Sequence, residues 1–296
     1  MRRIAIYAHY DPDGRIRGYV LRHLSALREI CAEVHFLSTA TVADGELAKV
    51  DGLVSSRRLC ENRGYDFGMW AEALASRGLA DVDELVLTNS SVLGPLFPLA
   101  RTFERMAPSP CDFWGLTDNV EVEYHLQSYF FVMRRSLLRS GQVERFFASV
   151  LPYRNKTQVI RSYEVGLTHF LLDQGFTPDV LASVYDPGIG LDSFNASLFA
   201  PIALLDHGVP YVKVELLRDN PHQIPLARLR ARLADAGYPL DLVDPDWQPP
   251  NPLLWGPINR LRYRLRHRRR GREPAIALRP PILAMLEARR SRLRTG

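Results

Sequence analysis

Long apolar runs are missing from this sequence. None reaches the roughly 18 residues that a membrane-spanning helix requires, so no such helix is expected. Cysteine is scarce, and Cys31, Cys60 and Cys111 lie far apart with no metal-ligand spacing. This excludes a disulfide scaffold and points to a reducing, cytoplasmic setting. The opening MRRIAIYAHYDPDG carries two arginines and then an apolar run broken too early for a secretory leader. Internal repeats and sustained heptads are absent as well. What remains is ordinary globular composition, with 46% hydrophobic and 24% charged residues. At 296 residues the chain can bury a sizeable core.

An even spread of charge is also lacking. The net charge is +5, but the 13 arginines from Asn259 onward, set against Glu273 and Glu287, put +11 in the tail and leave −6 on the rest. A uniformly basic nucleic-acid-binding domain is therefore excluded, and the question of a charged partner belongs to the tail.

Strand and helix patterns alternate along the first half. RIAIYAHY (3–10) reads as a buried strand, followed by a DPDG turn and a helical pattern through Ile30. EVHFLS (33–38) predicts a second strand, GELAKV (45–50) a short helix and GLVSSR (52–57) a third strand. A helix over 67–77, a strand in ELVLTNSS (84–91), a helix over 95–106 and a strand in DFWGLTD (112–118) follow. Such alternation implies a mostly parallel, Rossmann-type central sheet flanked by helices. YHLQSYFFVMRRSLL (124–138) runs from strand to helix, and 154–176 is a long helical run ending at Gly175. Residues 177–253, rich in Pro, Gly and Asp, predict irregular structure around the core, and DPDWQPPNPLLWGP (244–257) reads as a linker.

Three strand ends attract attention, because ligands of open parallel sheets bind beyond the carboxyl ends of the strands. ENRGYDFGMW (61–70) crowds Asn62, Gly64, Asp66 and Gly68 ahead of a helix. Glycines let backbone approach a ligand, and a helix N-terminus favours an anion. The plainer reading is a turn with Gly64 left-handed and Asp66 as a helix cap. LTNSSVLGPL (87–96) offers Asn89, Ser90 and Ser91, residues suited to a sugar-phosphate or to a simple polar turn. DFWGLTDN (112–119) sets Asp112, Trp114 and Asp118 near one edge, although a tryptophan more often fills a core. Asp11 and Asp13 of DPDG suit a turn or a nucleotide contact better than a phosphatase motif.

Taken in order, ENRGYDFG, LTNSSVLGPL, DFWGLTDN with YHLQSYFFVMRRSLL, and SYEVGLTHFLLDQGF resemble the rhamnan synthesis protein F family. The resemblance runs over roughly residues 3–221, from HYDPDGRIRGYVLRHLSAL to VPYVKVELLRDNP. It implies a GT-A-like α/β fold and transfer of a sugar, typically rhamnose, with inversion, from a donor such as dTDP-rhamnose or GDP-rhamnose to a bacterial surface polysaccharide. It implies a donor site lined by Asp11, Asn62, Gly64, Asp66, Phe67, Gly68, Asn89, Ser90 and Ser91. Acceptor contacts would come from Trp114, Asp118, Gln127 and Ser128. Glu164 is the implied catalytic base, with His125 as the second candidate; a surface glutamate and a structural histidine are the plainer readings of the two. Where the family commonly reads Asn-Asp-Ser, this chain has Asn89-Ser90-Ser91, so a central carboxylate is missing. Mg²⁺ or Mn²⁺ would then need Asp112 or Asp118 as a substitute ligand, and metal dependence is open. The same gap favours the alternative of a non-catalytic, glycan- or partner-binding member. The implied organisation is a glycosyltransferase-like domain over 1–243, with a nucleotide-sugar half to about 118 and an acceptor half to 243, then the linker and a basic amphipathic tail over 258–296.

The tail lies beyond the resemblance. INRLRYRLRHRRRGR (258–272) aligns Ile258, Leu261 and Leu265 among arginines, and PPILAMLEARRSRLR (280–294) adds Ile282, Leu283, Leu286 and Leu293. Basic amphipathic helices lie on anionic membranes, so residues 258–294 are expected to place the protein peripherally on the inner face of the cell membrane, near a lipid-linked glycan acceptor. A nucleic-acid arm and a solvated tail are the competing readings.

Overall fold

The computed structural model describes residues 1–189, 195–221, 224–247 and 278–295. Its centre is the strand β1 (Arg3–His9), every residue of which is buried. A strand covered on both faces needs a continuous apolar run rather than alternation, and RIAIYAH supplies one. Helix α1 (Gly18–Ile30) returns the chain to β2 (Glu33–Ser38), and a short α2 (Asp44–Leu47) leads to β3 (Ser56–Leu59). Helix α3 (Tyr65–Ala75) precedes β4 (Glu84–Asn89), β5 (Val92–Leu93) and α4 (Leu99–Met106). Then come β6 (Phe113–Asn119), β7 (His125–Leu126) and β8 (Phe130–Arg134), with α5 (Arg135–Leu138) and α6 (Gln142–Ala148).

The sheet order is β3-β2-β1-β4-β8-β6-β7, and β9 (Pro178–Ala182) pairs with β6. Strands β1 to β4 run parallel, β8 lies antiparallel between β4 and β6, and β9 is parallel to β6. This is the mostly parallel, helix-flanked sheet that the alternation implied. The order turns outward from β1 on both sides, which opens a crevice at the carboxyl ends of β1 and β4.

Three local expectations are corrected. The third strand starts at Ser56 rather than Gly52, because Gly52 is left-handed (φ +81°) and closes a turn. The helix expected over 95–106 starts at Leu99, since Pro98, held extended (ψ 130°), stands as its cap. The region expected to be irregular contains buried β9, α9 (Ala196–Phe199), α10 (Pro201–Asp206), β10 (Val212–Lys213), α11 (Val214–Arg218) and α12 (Leu226–Asp235). Between α6 and β9 lie α7 (Lys156–Val159), a π-helical turn (Ile160–Val165) and α8 (Gly166–Asp173). Asn155 caps α7 by accepting from the Thr157 and Gln158 amides.

The last helix, α13 (Pro280–Thr295), packs against β9. Its Ile282, Met285 and Leu286 are buried in the common core, while Leu283 is 46% exposed. Arg289 is buried too, donating to both Asp186 carboxylate oxygens and to the Val180 and Leu181 carbonyls. Of the apolar residues expected to meet a membrane, Ile282 and Leu286 are thus covered by the protein, whereas Leu283 is not. Residues 258–272 and most of the Pro-rich segment lie outside the described residues. Among the described residues no helix is long and apolar enough to cross a membrane.

Candidate functional site

A cleft of about 1000 Å³ opens at the carboxyl ends of β1, β4 and β6. That volume is at the upper end of the range for small-molecule sites. Of the residues implied as donor contacts, Asp11, Asn62, Asp66, Phe67, Asn89, Ser90 and Ser91 line it; His125, Gln127, Ser128 and Glu164 line the other wall.

Four implied residues do not line it. Gly64 is left-handed (φ +78°), and a Cβ on Gly68 would lie 1.9 Å from the Arg63 carbonyl oxygen. The two glycines make the tight entry into α3 rather than a surface for a ligand. Trp114 is fully buried against Phe103 and Phe130. Asp118 is also fully buried, its oxygens taken by the Ser183 hydroxyl and the Val184 amide. Asp112, proposed with Asp118 as a substitute metal ligand, sits before β6, at the opposite end of the sheet, and accepts from Ser136 and Thr177.

On the donor wall Asp66 is not the helix cap that its position suggests. Its carboxylate accepts from Asn89 Nδ2 at 2.7 Å, and Asn89 Oδ1 accepts from the Ser91 amide at 3.0 Å. Burial, with the Glu164 charge, pushes Asp66 up to about 6, against the opposing pull of Lys213. Ser90 staples two loops: its Oγ accepts from the Tyr10 amide at 3.1 Å and donates to the Tyr10 carbonyl at 3.2 Å. Asp11 is similarly committed, with Oδ2 on Arg17 Nε at 2.6 Å and Oδ1 on the Asp13 and Arg15 amides.

On the opposite wall the π-helical turn presents Glu164. Its Oε1 accepts from both the amide and the hydroxyl of Ser128, each at 2.9 Å. Burial raises the Glu164 carboxyl, but the positive fields of His125 and Lys213 and the two Ser128 bonds prevail and hold it below the ordinary range. Glu164 is therefore a carboxylate at neutral pH, and no hydrogen bond among the described residues engages its Oε2. His125 Nδ1 lies 2.8 Å from the Glu123 carbonyl, which can only accept, so Nδ1 carries a proton. Gln127 accepts from Thr117 at 2.7 Å.

Lys213 was not singled out by the sequence, because a lone lysine in YVKVELL carries no local pattern. Strand β10 pairs antiparallel with β5, setting Lys213 opposite Val92, and the Val214 amide donates to the Ser91 carbonyl at 2.9 Å. The lysine therefore stands directly beside Asn89-Ser90-Ser91. Its Nζ sits 4.5 Å from the Tyr129 ring centre. Burial lowers its pKa, opposed by the charges of Glu164, Glu215 and Asp66.

A divalent metal does not fit these residues. Among the described residues no three His, Cys, Asp or Glu side chains gather to hold an ion. Ser90 stands where the family's carboxylate is expected, and its hydroxyl is engaged by Tyr10.

Fold and cleft together define a Rossmann-type α/β protein with a ligand crevice at its strand ends. The profile of the family described as rhamnan synthesis protein F matches residues 34–248, and the chain belongs to that family. It is accordingly a glycosyltransferase-type protein of polysaccharide synthesis. Virulence protein VirA of Vibrio anguillarum is 29% identical over 257 aligned residues, covering 76% of this chain and 82% of VirA. The uncharacterized protein y4gN of Sinorhizobium fredii is 26% identical, covering 65% of this chain and 51% of y4gN. A Desulfovibrio desulfuricans protein assigned as a nucleotide-diphospho-sugar transferase is 12% identical, with 70% and 97% of the two chains covered and a TM-score of 0.41. S. aureus TarS, solved with UDP, gives 12% identity, 50% and 52% coverage and a TM-score of 0.34.

Proposed function

We propose that the protein transfers rhamnose, with inversion, from a nucleotide-activated donor to a growing bacterial surface polysaccharide. The observation that carries the reading is Glu164: one ionised carboxylate, held through Oε1 by Ser128, facing a cleft whose other wall is the strand-end motif Asn89-Ser90-Ser91. In an inverting transfer a carboxylate takes the proton of the attacking hydroxyl while the nucleotide leaves from the opposite face of the sugar. Glu164 has that base role, and Asp66 and Asn89, bonded to each other, hold the donor side. Gln127 and Ser128 orient the acceptor. The acceptor is a lipid-linked glycan, and the arginines of 258–272 meet the anionic inner surface of the membrane that carries it.

The engaged Ser90 hydroxyl favours a second reading, a non-catalytic member that binds glycan. The two separate on donor consumption. The purified protein is incubated with dTDP-rhamnose or GDP-rhamnose and membrane-derived acceptor, and release of the nucleoside diphosphate is followed. Release that depends on acceptor supports the transferase. Nucleotide binding without release leaves the non-catalytic reading.

A further inference from the structure

The donor reading leaves a charge unaccounted for. A nucleoside diphosphate brings two or more negative charges into a cleft that already holds Asp66 and Glu164. A divalent ion would offset them, but the donor set for one is missing, as described above. The chain must supply the positive charge itself if the donor is to bind.

The cleft contains five candidate cations: Arg15, Arg17, Lys156, Lys213 and Arg218. Arg15 is paired with Asp246, Arg17 is engaged by Asp11, Asp13 and Asp244, and Arg218 by Asp219. Lys156 is exposed at the start of α7, where solvent and salt screen it. Lys213 differs from the other four. It is half-buried, fixed by strand pairing beside Ser91 and Val92, and its ammonium has no hydrogen bond and no ion pair among the described residues. Three carboxylates, of Glu164, Glu215 and Asp66, act on it through space without contacting it. A half-buried ammonium with only an aromatic face for company has lost much of its hydration without regaining hydrogen bonds. It is poised to accept anionic oxygens.

We propose that Lys213 takes the place of the divalent cation, binding the diphosphate of the donor beside Asn89-Ser90-Ser91, so that the protein binds its nucleotide without metal. The inference rests on the nucleotide-sugar reading of the cleft. The Ser90 hydroxyl fits the same picture, since a carboxylate there would repel the diphosphate and compete for the ammonium. As the nucleoside diphosphate leaves with its extra charge, the ammonium beside it stabilises the departing group.

The test is equilibrium binding of dTDP, UDP and GDP to the full chain, in EDTA and again in Mg²⁺ or Mn²⁺, for the wild type, Lys213→Met and Lys213→Arg. The wild type is expected to bind one of them equally well in EDTA and in metal. Lys213→Met is expected to weaken that binding about tenfold or more, while leaving affinity for the corresponding nucleoside unchanged. Lys213→Arg, which keeps the charge, is expected to retain most of the affinity and serves if the methionine variant folds poorly. Binding by the wild type that vanishes in EDTA, or Lys213→Met binding as tightly as the wild type, overturns the role of Lys213 and leaves the donor site standing. No binding of any of the three to folded wild type overturns the donor reading, and the role of Lys213 with it.

Discussion

Glu164 combines ionisation at neutral pH, a fixed position and one oxygen unengaged among the described residues. Glu164→Gln preserves shape, and its amide oxygen still accepts from Ser128, but it takes up no proton. The variant is expected to lose about 10²- to 10⁴-fold in kcat while binding nucleotide within about twofold of the wild type. Steady-state kinetics beside nucleotide titration check both halves. His125→Gln is the comparison: if it abolishes turnover and Glu164→Gln does not, the base is His125 acting through Nε2. The sequence brought Glu164, His125 and Ser128 into view through the order of family motifs. It could not reveal that a π-helical turn presents Glu164, because the residues of that turn keep ordinary helical periodicity. The left-handed Gly64 was legible as a turn residue, but the reason for Gly68 was hidden. Gly68 answers a backbone clash with Arg63 that exists only once the turn is folded.

Strands β1, β4 and β6, buried along their whole length, were legible from their largely apolar runs, and β2 from the alternation of Val34 and Phe36 with Glu33 and His35. Strand β9 was not, because PDVLA begins with a proline and an aspartate, both of which read as loop. Asp179 is there for a partner 113 residues later: it accepts from Arg292 at 2.8 Å, and Arg289 stands beside it. That long-range pairing has no signature in a local window. Helix α13 was legible as a helix, but that Ile282 and Leu286 would be buried against the rest of the protein was not. The correction carries a prediction. Arg289→Ala leaves Asp186 and Asp179 buried with less compensation, and is expected to cost about 3–5 kcal/mol of stability. Arg292→Ala removes a half-exposed partner, with 45% of its side chain accessible, and is expected to cost about 1 kcal/mol or less. Urea unfolding of both variants measures the difference. Equal, small losses would mean that α13 does not dock on β9 in solution.

At the scale of the whole molecule, acid should unfold this protein through its core as well as its surface. His23 is fully buried on α1 between Tyr7 and Tyr211, with ring centres 5.0 and 4.7 Å away, and neither of its ring nitrogens has a hydrogen-bond partner among the described residues. Burial lowers its pKa from 6.5 to about 3. Below pH 6.5 the unfolded chain takes up a proton at His23 that the folded protein refuses, so stability falls as pH drops from 6.5 towards 3, by up to about 1.4 kcal/mol per pH unit. Burial also lowers His9, to about 4, and it acts in the same direction. Asp66 and Asp118, each pushed up to about 6 mainly by burial, act in the opposite direction, since their neutral forms suit the fold better as pH falls. Comparison with His23→Phe isolates the histidine, because the other groups titrate in both proteins. A change in packing displaces the whole stability curve, whereas loss of the titrating group flattens it. Unfolding free energies at pH 7, 6, 5 and 4 are therefore expected to decline less steeply in His23→Phe than in the wild type. Parallel declines would mean that His23 is reached by protons in the folded state and that acid sensitivity arises elsewhere.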